Sequence, residues 1–334
     1  MEYFRPIPMH DPARPAGALT LAGGWLWFDR LEVLSRGAAP RLIPAAEAPP
    51  DVLARLTAPR APIAGLDMGR PQIMGILNTT PDSFSDGGSY VTHEAALAQA
   101  QLMAGAGASV IDVGGESTRP GSLEVPVTEE IARTAPVIAA LREGGIEAAI
   151  SIDTRKAPVA AAALAAGANI VNDVAAFTFD PAIREVARSA AGLCLMHAQG
   201  TPQTMQHDPH YDDVLLDVYD FLEEKVAEAE GAGIPRAQVM VDPGIGFGKT
   251  LAHNLTLLRN LGLFHALGCP ILLGVSRKKF VGQIGGEAEA RRRVPGSVAV
   301  ALAGVAQGAQ ILRVHDVWET RQALALWQSV TVGA

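Results

Sequence analysis

Residues able to do chemistry recur in one setting along this chain, the ends of short apolar runs. Asn78 closes "QIMGILN" (72–78), and Gly114-Gly115-Glu116-Ser117-Thr118-Arg119 follows the run that begins "SVIDV" at position 109. Asp153 closes "AAISID" (148–153), Asn172-Asp173 closes "NIVND" (169–173) and Asp242 closes "QVMVD" (238–242). Ser276-Arg277-Lys278 ends the run that starts at Pro270, and Arg313 and His315 lie in "QILRVH" (310–315). The set divides by sign. Asp153, Asn172 and Asp242 can accept or exchange hydrogen bonds with a flat, amide-rich heterocycle. A carboxylate can take two parallel N–H bonds from a 2-amino-4-oxo-pyrimidine edge, as it does from arginine. Arg313, His315, Arg119 and Lys278 supply cations or donors suited to phosphate oxygens. Asn78 can offer a carbonyl oxygen to a hard cation such as Mg²⁺, which takes few protein ligands beside substrate phosphates.

Each residue also has a plainer role open to it. Asp153 can cap the helix that follows, Asp242 can stabilise the turn at Pro243, and Asn172-Asp173 can be turn residues. His315 can bond a neighbouring backbone group. His197, which also ends an apolar run, reads as a structural histidine, and Arg291-Arg292-Arg293 as a solvated face. "GIGFGK" (244–249) looks like a phosphate-cradling loop without P-loop spacing.

The elements that must position these residues follow from the pattern. From about Pro71, eight near-continuous apolar runs alternate with Ala/Leu-rich helical patterns at 93–106, 128–144, 156–166, 180–191, 211–231, 251–267, 294–308 and 317–330. Such strands imply a parallel sheet covered on both faces. Eight strand–helix units predict an α/β chain folded as a (β/α)8 TIM barrel, with catalytic groups at the C-terminal strand ends. A doubly wound open sheet is the alternative, but the turn after the first strand, "NTTPDSFSDGG", lacks the expected GxGxxG.

Residues 1–62 stand apart as an N-terminal extension, and 63–334 as the barrel domain. Two short apolar runs about Gly23-Gly24 predict a hairpin, and proline-rich 38–62 reads as a linker or loosely packed arm. A further hairpin at 63–72 is expected to plug the bottom of the barrel. The chain has 334 residues, 27 Lys+Arg against 35 Asp+Glu, and 49% hydrophobic residues. That composition is globular, and its acidic balance speaks against nucleic acid or an anionic membrane as partner. Two cysteines, Cys194 and Cys269, provide no disulfide framework and point to a reducing, cytoplasmic setting. No signal peptide or membrane span is legible.

In order, "MGILNTTPDSFSDGG", "DVGGESTRPG", "SIDTRK", "NIVNDV", "LMHAQGTPQTMQ", "VDPGIGFGK", "GVSRKKFVG" and "RVHDV" resemble the motifs of the dihydropteroate synthases. The resemblance spans Pro71 to the C-terminus. It implies a transferase of folate biosynthesis, a sulfonamide target that joins 4-aminobenzoate to (7,8-dihydropterin-6-yl)methyl diphosphate. It assigns Asp153, Asn172, Asp242 and Lys278 to a pterin pocket, with Val174 and Met196 among its substrate contacts. Arg313 and His315 match the diphosphate pair, and Asn78 the Mg²⁺ ligand. Asp153, Lys278, Arg313 and His315 become the catalytic set. Thr118, Arg119 and Pro120 fall in a second loop that closes with the first (78–88), and Phe247 would pack on the aminobenzoate ring. The family also implies a homodimer. A methyltetrahydrofolate-dependent methyltransferase and a non-catalytic pterin-binding paralogue are the alternatives. The anion-binding motifs argue against the first, and the apparently complete set of loop residues against the second. Lys279, Ile245 and Ala198 depart from the commonest pattern, which bears on sulfonamide discrimination.

Overall fold

The computed structural model describes residues 1–79, 93–117, 121–201, 203–205 and 207–331. Its centre is an eight-stranded parallel sheet. The strands are β1 (Gln72–Asn78), β2 (Val110–Gly114), β3 (Ala149–Asp153), β4 (Ile170–Asp173), β5 (Gly192–Met196), β6 (Val239–Asp242), β7 (Leu272–Leu273) and β8 (Ile311–Val314). Their order is β6-β5-β4-β3-β2-β1-β8-β7. The ring closes where Val241 bridges Ile271 and the Val241 N–H donates to the Pro270 carbonyl at 2.9 Å. The strands are buried almost throughout because helices cover the outside and side chains fill the inside.

The helices are α1 (His93–Gly105), α2 (Val127–Glu143), α3 (Ala157–Ala165), α4 (Ile183–Ala187), α5 (Val214–Gly231), α6 (Leu251–Arg259), α7 (Val294–Val305) and α8 (Val317–Thr331). The pattern predicted one long sixth helix. The chain instead leaves α6 at Asn260 and continues as a 3-10 helix, Leu261–Leu267, all of it buried. The strand expected at 270–276 is hydrogen-bonded as a strand only at Leu272–Leu273. It then turns through Arg277, whose φ of 59° is left-handed. That conformation costs a non-glycine residue about 1–3 kcal/mol and is held by surrounding bonds. The Arg277 N–H donates to Ser297 Oγ at 2.8 Å and its side chain pairs with Asp316.

The barrel bottom is sealed by residues just before β1. Ile63 and Leu66 form a bridge, and Ile63 and Met68 are fully buried among Met74, Val110, Ile170, Cys194, Met240, Leu272 and Ile311. Gly192 makes room for this plug, since a Cβ there would lie 2.4 Å from Ile63 Cγ2.

The first residues form a three-stranded antiparallel sheet of Glu2–Pro6, Arg30–Ser35 and Arg41–Pro44. Leu19–Thr20 pairs with Trp27–Phe28 across Gly23-Gly24. Aromatic side chains bind this layer to the barrel helices. The Tyr3 ring meets Tyr219 edge-on at 5.4 Å, and Trp25 Nε1 donates to the Val305 carbonyl at 3.1 Å. Residues 38–62 are not a loose arm. Ile43 and Ala45 are buried, Pro50–Thr57 is a helix with Leu56 fully covered, and the Arg60 guanidinium donates to the His265 carbonyl at 3.0 Å. Proline there fixes φ at turns and at the helix start; it does not mark flexibility.

Candidate active site

Strand pairing sets the residues at the C-terminal rim. Asn78 lies opposite Gly114, Gly114 opposite Asp153, and Asp153 opposite Asn172. Met196 lies opposite Asp242 in the same way. A Cβ on Gly114 would stand 3.8 Å from both Asn78 Oδ1 and Asp153 Oδ2. Across the mouth, a Cβ on Gly274 would stand 3.8 Å from Asp242 Oδ2 and from Lys278 Nζ, and 3.9 Å from Arg313 Cβ. Arg313 links the halves. Its Nε donates to Asp112 Oδ2 at 2.6 Å, and its Nη2 to Asp153 Oδ2. Asp153, Asn172 and Asp242 therefore share one rim with Lys278 and Arg313.

Their electrostatics follow from burial and from one another. Burial pushes the Asp153 carboxyl up to about 7, against the pull of Arg313 and with help from Asp112. Burial also raises Asp242, opposed by Lys278 and by the Gly244 N–H, which donates to Asp242 Oδ1 at 2.7 Å. Lys278 is lowered to about 8 by desolvation despite Asp242. Arg313 loses solvation too, but Asp112 and Asp153 outweigh that and hold its charge above the ordinary value. Asp112 Oδ1 and Asp153 Oδ1 are buried without a hydrogen-bond partner among the described residues. Unpaired buried acceptors are costly, about 1–3 kcal/mol each or more when charged, and here they lie beside the rim.

Several plainer roles can be checked, and Asp242 does hold its turn, accepting from the Gly244 N–H two residues on. Asp153 does not cap α3; the first N–H of that helix, on Ala157, is bonded by Asp180 Oδ2 at 2.8 Å. Asp173 is the turn residue of its pair, accepting from Ala175 N at 2.9 Å and Phe177 N at 2.7 Å, while Asn172 lies nearest Asp112. His315 Nδ1 is 3.0 Å from Ser276 Oγ, which joins the "SRK" and "RVHDV" motifs. Val174 and Met196 are buried beside the ends of β4 and β5. Thr118, Arg119 and Pro120 lie outside the described residues, as does the first loop beyond Thr79.

"GIGFGK" is built around its lysine. Lys249 Nζ is buried and donates inward to the Gly244 carbonyl at 2.9 Å and the Phe247 carbonyl at 3.0 Å, and it meets His197 Nδ1 at 2.8 Å. The loop backbone thus wraps its own lysine amine, whose pKa burial holds well below the usual value, and is not a phosphate cradle. His197 is structural, with burial and then Lys249 holding its pKa well below the usual value. Gly244 must be glycine, with φ of 67° and a Cβ position 1.8 Å from the His197 carbonyl oxygen. The loop presents the Phe247 ring to Lys278 Nζ, 4.7 Å from the ring centroid, and the Ile245 carbonyl accepts from the same nitrogen. Lys279 is exposed at the start of a short helix, Lys279–Gly285.

Two groups escaped the sequence reading. Asp112 stood inside "SVIDV" and was treated as strand, though a lone carboxylate between Ile111 and Val113 is itself a signal. The other is the set of partners, Arg155, Lys156 and Glu130, that draw the strand-end Glu116 into a buried ion cluster. Glu116 accepts from Arg155 Nη2 at 2.8 Å and from Lys156, and Lys156 Nζ also reaches Glu130 at 2.7 Å. Arg293, read as solvated, donates to the Arg277 carbonyl at 3.0 Å and braces the left-handed turn. Among the described residues no three His, Cys, Asp or Glu side chains gather as a metal site. No helix among the described residues is long and apolar enough to cross a membrane.

Comparison with known proteins gives the family and the fold. Residues 74–315 match the family model described as pterin binding enzyme. Dihydropteroate synthase of Escherichia coli strain K12 is 46% identical over 259 residues, 78% of this chain and 91% of that protein. The Neisseria meningitidis serogroup B enzyme is 49% identical over 274 residues, 80% of this chain and 95% of that protein. The Xanthomonas albilineans dihydropteroate synthase solved with 7,8-dihydropteroate superposes with a TM-score of 0.73 at 43% identity, covering 81% of this chain and 98% of that one. The same enzyme solved with 4-aminobenzoic acid gives 0.76 at 45% identity, with the same coverage.

Proposed function

The chain belongs to the dihydropteroate synthases within the pterin-binding enzymes, and from that membership we propose how its rim performs the family's reaction. The protein is a transferase that condenses (7,8-dihydropterin-6-yl)methyl diphosphate with 4-aminobenzoate, giving 7,8-dihydropteroate and diphosphate in folate biosynthesis. The observation that carries the site reading is the buried Asp153 carboxylate, one oxygen on Arg313 and the other unpartnered among the described residues, with Asn172 opposite it in strand register and Asp242 beside Lys278 at the same rim. The 2-amino-4-oxo edge of a pterin supplies N–H donors for those acceptors. A ring without them leaves charge buried and unpaired, and is rejected by as much as about 10⁴-fold.

Asp153, Asn172, Asp242 and Lys278 bind and orient the ring, with Val174 and Met196 packing beside it. Arg313 is held through Nε and Nη2 on Asp112 and Asp153, and with His315 it is the pair that receives the diphosphate. The electron-rich dihydropterin stabilises positive charge at its exocyclic methylene as the diphosphate departs. Asp153 and Asp242 favour that cation electrostatically, and Arg313 and His315 favour the leaving oxygens. The aniline nitrogen of 4-aminobenzoate then attacks the methylene with no activated Ser or Cys needed, the Phe247 ring beside it. Positioning and charge carry the step. Thr118, Arg119 and Pro120 are assigned to the aminobenzoate side by the family motif they match.

Asn78 offers a single hard oxygen at the rim. That suits Mg²⁺ held mainly by substrate phosphates and water, and the metal would neutralise diphosphate charge. Cytoplasmic location and a homodimer complete the reading. The test is to mix the protein with pterin diphosphate, 4-aminobenzoate and Mg²⁺ and follow diphosphate release. Release that depends on the amine and yields dihydropteroate is expected; release without the amine, or none, overturns the reading.

A further inference from the structure

We propose that Asp112, at the middle of β2, is a positioning residue of the pterin pocket that fixes the amide of Asn172 and the reach of Arg313. The inference rests on the reading of the rim as a pterin diphosphate site.

Asp112 is fully buried, with Ile111 and Val113 on either side of it also fully buried. A carboxylate in such a strand is expensive unless it is paired. Its Oδ2 accepts from Arg313 Nε at 2.6 Å and lies 3.4 Å from Asn172 Nδ2. Its Oδ1 has no partner among the described residues, and neither has Oγ of Ser151, its register neighbour on β3. Among the described residues the Asp112 side chain is thus tied to the pocket through one oxygen. An ionised carboxylate only accepts, so it pairs with the nitrogen of the Asn172 amide and never with its oxygen. The amide is thereby prevented from flipping, and its carbonyl oxygen is kept for the pterin. On the other side, Arg313 is held by two anions, one on β2 and one on β3, which sets its direction as well as its charge. A residue that touches neither ring nor diphosphate in this way decides how two that do are presented.

The test is calorimetric titration of the full chain with two probes, 6-hydroxymethylpterin, which lacks the diphosphate, and inorganic diphosphate with Mg²⁺. Asp112→Asn keeps the shape but removes the charge and the one-way acceptor. The variant is expected to bind the pterin at least tenfold more weakly, and the diphosphate about threefold more weakly because Arg313 loses one of the two anions that aim it. In an Asn172→Ala background the same change should cost less than threefold for the pterin, because the amide it orients is gone. The comparison is repeated in an Arg313→Gln background, where no unpaired cation threatens folding, and a drop of at least fivefold in pterin affinity is expected there. Unchanged pterin affinity, equal loss for both probes, or an undiminished penalty without Asn172 overturns the proposal. A parent protein that binds neither probe overturns the reading of the rim instead.

Discussion

Asp242 and Arg313 lie at one rim but stand in opposite energetic situations. Asp242 is a buried carboxylate whose pKa is raised by desolvation, so its charge works against the fold. Asp242→Asn is expected to cut kcat/KM about 100-fold, the worth of one charged hydrogen bond, with stability unchanged or raised. Arg313→Ala instead leaves Asp112 and Asp153 facing each other without a cation. It should abolish turnover and also cost about 3 kcal/mol in a denaturant melt, so Arg313→Lys is the milder probe of function. The pH profile is set by the same groups. Asp153 titrates at about 7 in the fold, above its ordinary value, so it binds its proton more tightly folded than unfolded. Its contribution to stability is complete below about pH 4 and is lost as pH rises through about 7, while its ability to receive the pterin appears over that upper range. Lys278 loses its charge at about 8. The kcat/KM profile for the pterin diphosphate should be a narrow bell with limbs near these values, and Lys278→Arg should remove the alkaline limb. The rim residues were legible because a polar side chain at the end of an apolar run is conspicuous. Asp112 was not, because the same residue type inside a run reads as part of the strand until its partner, some two hundred positions away, is placed against it.

Between residue and molecule, the loop 244–249 shows how an element can carry a misleading motif. Its glycines and lysine suggested phosphate, yet the lysine is turned inward and binds the loop's own carbonyls and His197. Nothing in the local sequence gives that direction; it follows from β5 delivering His197 beneath the loop. Lys249→Met should leave buried carbonyls unpaired, lower stability by about 2 kcal/mol, and weaken 4-aminobenzoate binding through a displaced Phe247. Thermal melts and the KM for the amine check both parts. The left-handed turn at Arg277 was equally hidden, since only the bonds from Ser297, Asp316 and Arg293 make it affordable.

At the scale of the molecule, the period of strands and helices was readable because each strand is buried on both faces. The covering of the barrel was less readable. Prolines in 38–62 suggest looseness, while the burial of Ile43 and Leu56 and the Arg60–His265 bond that pin the segment are long-range. The plug gives a clean test of this architecture. Ile63→Ala opens space at the closed end of the barrel and should cost about 2–5 kcal/mol in stability, with kcat/KM kept within twofold in the folded protein. A comparable loss of activity would mean that the two ends of the barrel are coupled. The most direct test of the whole account is a crystal structure of the chain with the pterin diphosphate bound. The predicted result is the amino-oxo edge on Asp153, Asn172 and Asp242 and the diphosphate oxygens at Arg313 and His315. A ring seated away from those three acceptors, or a diphosphate bound elsewhere, would contradict it.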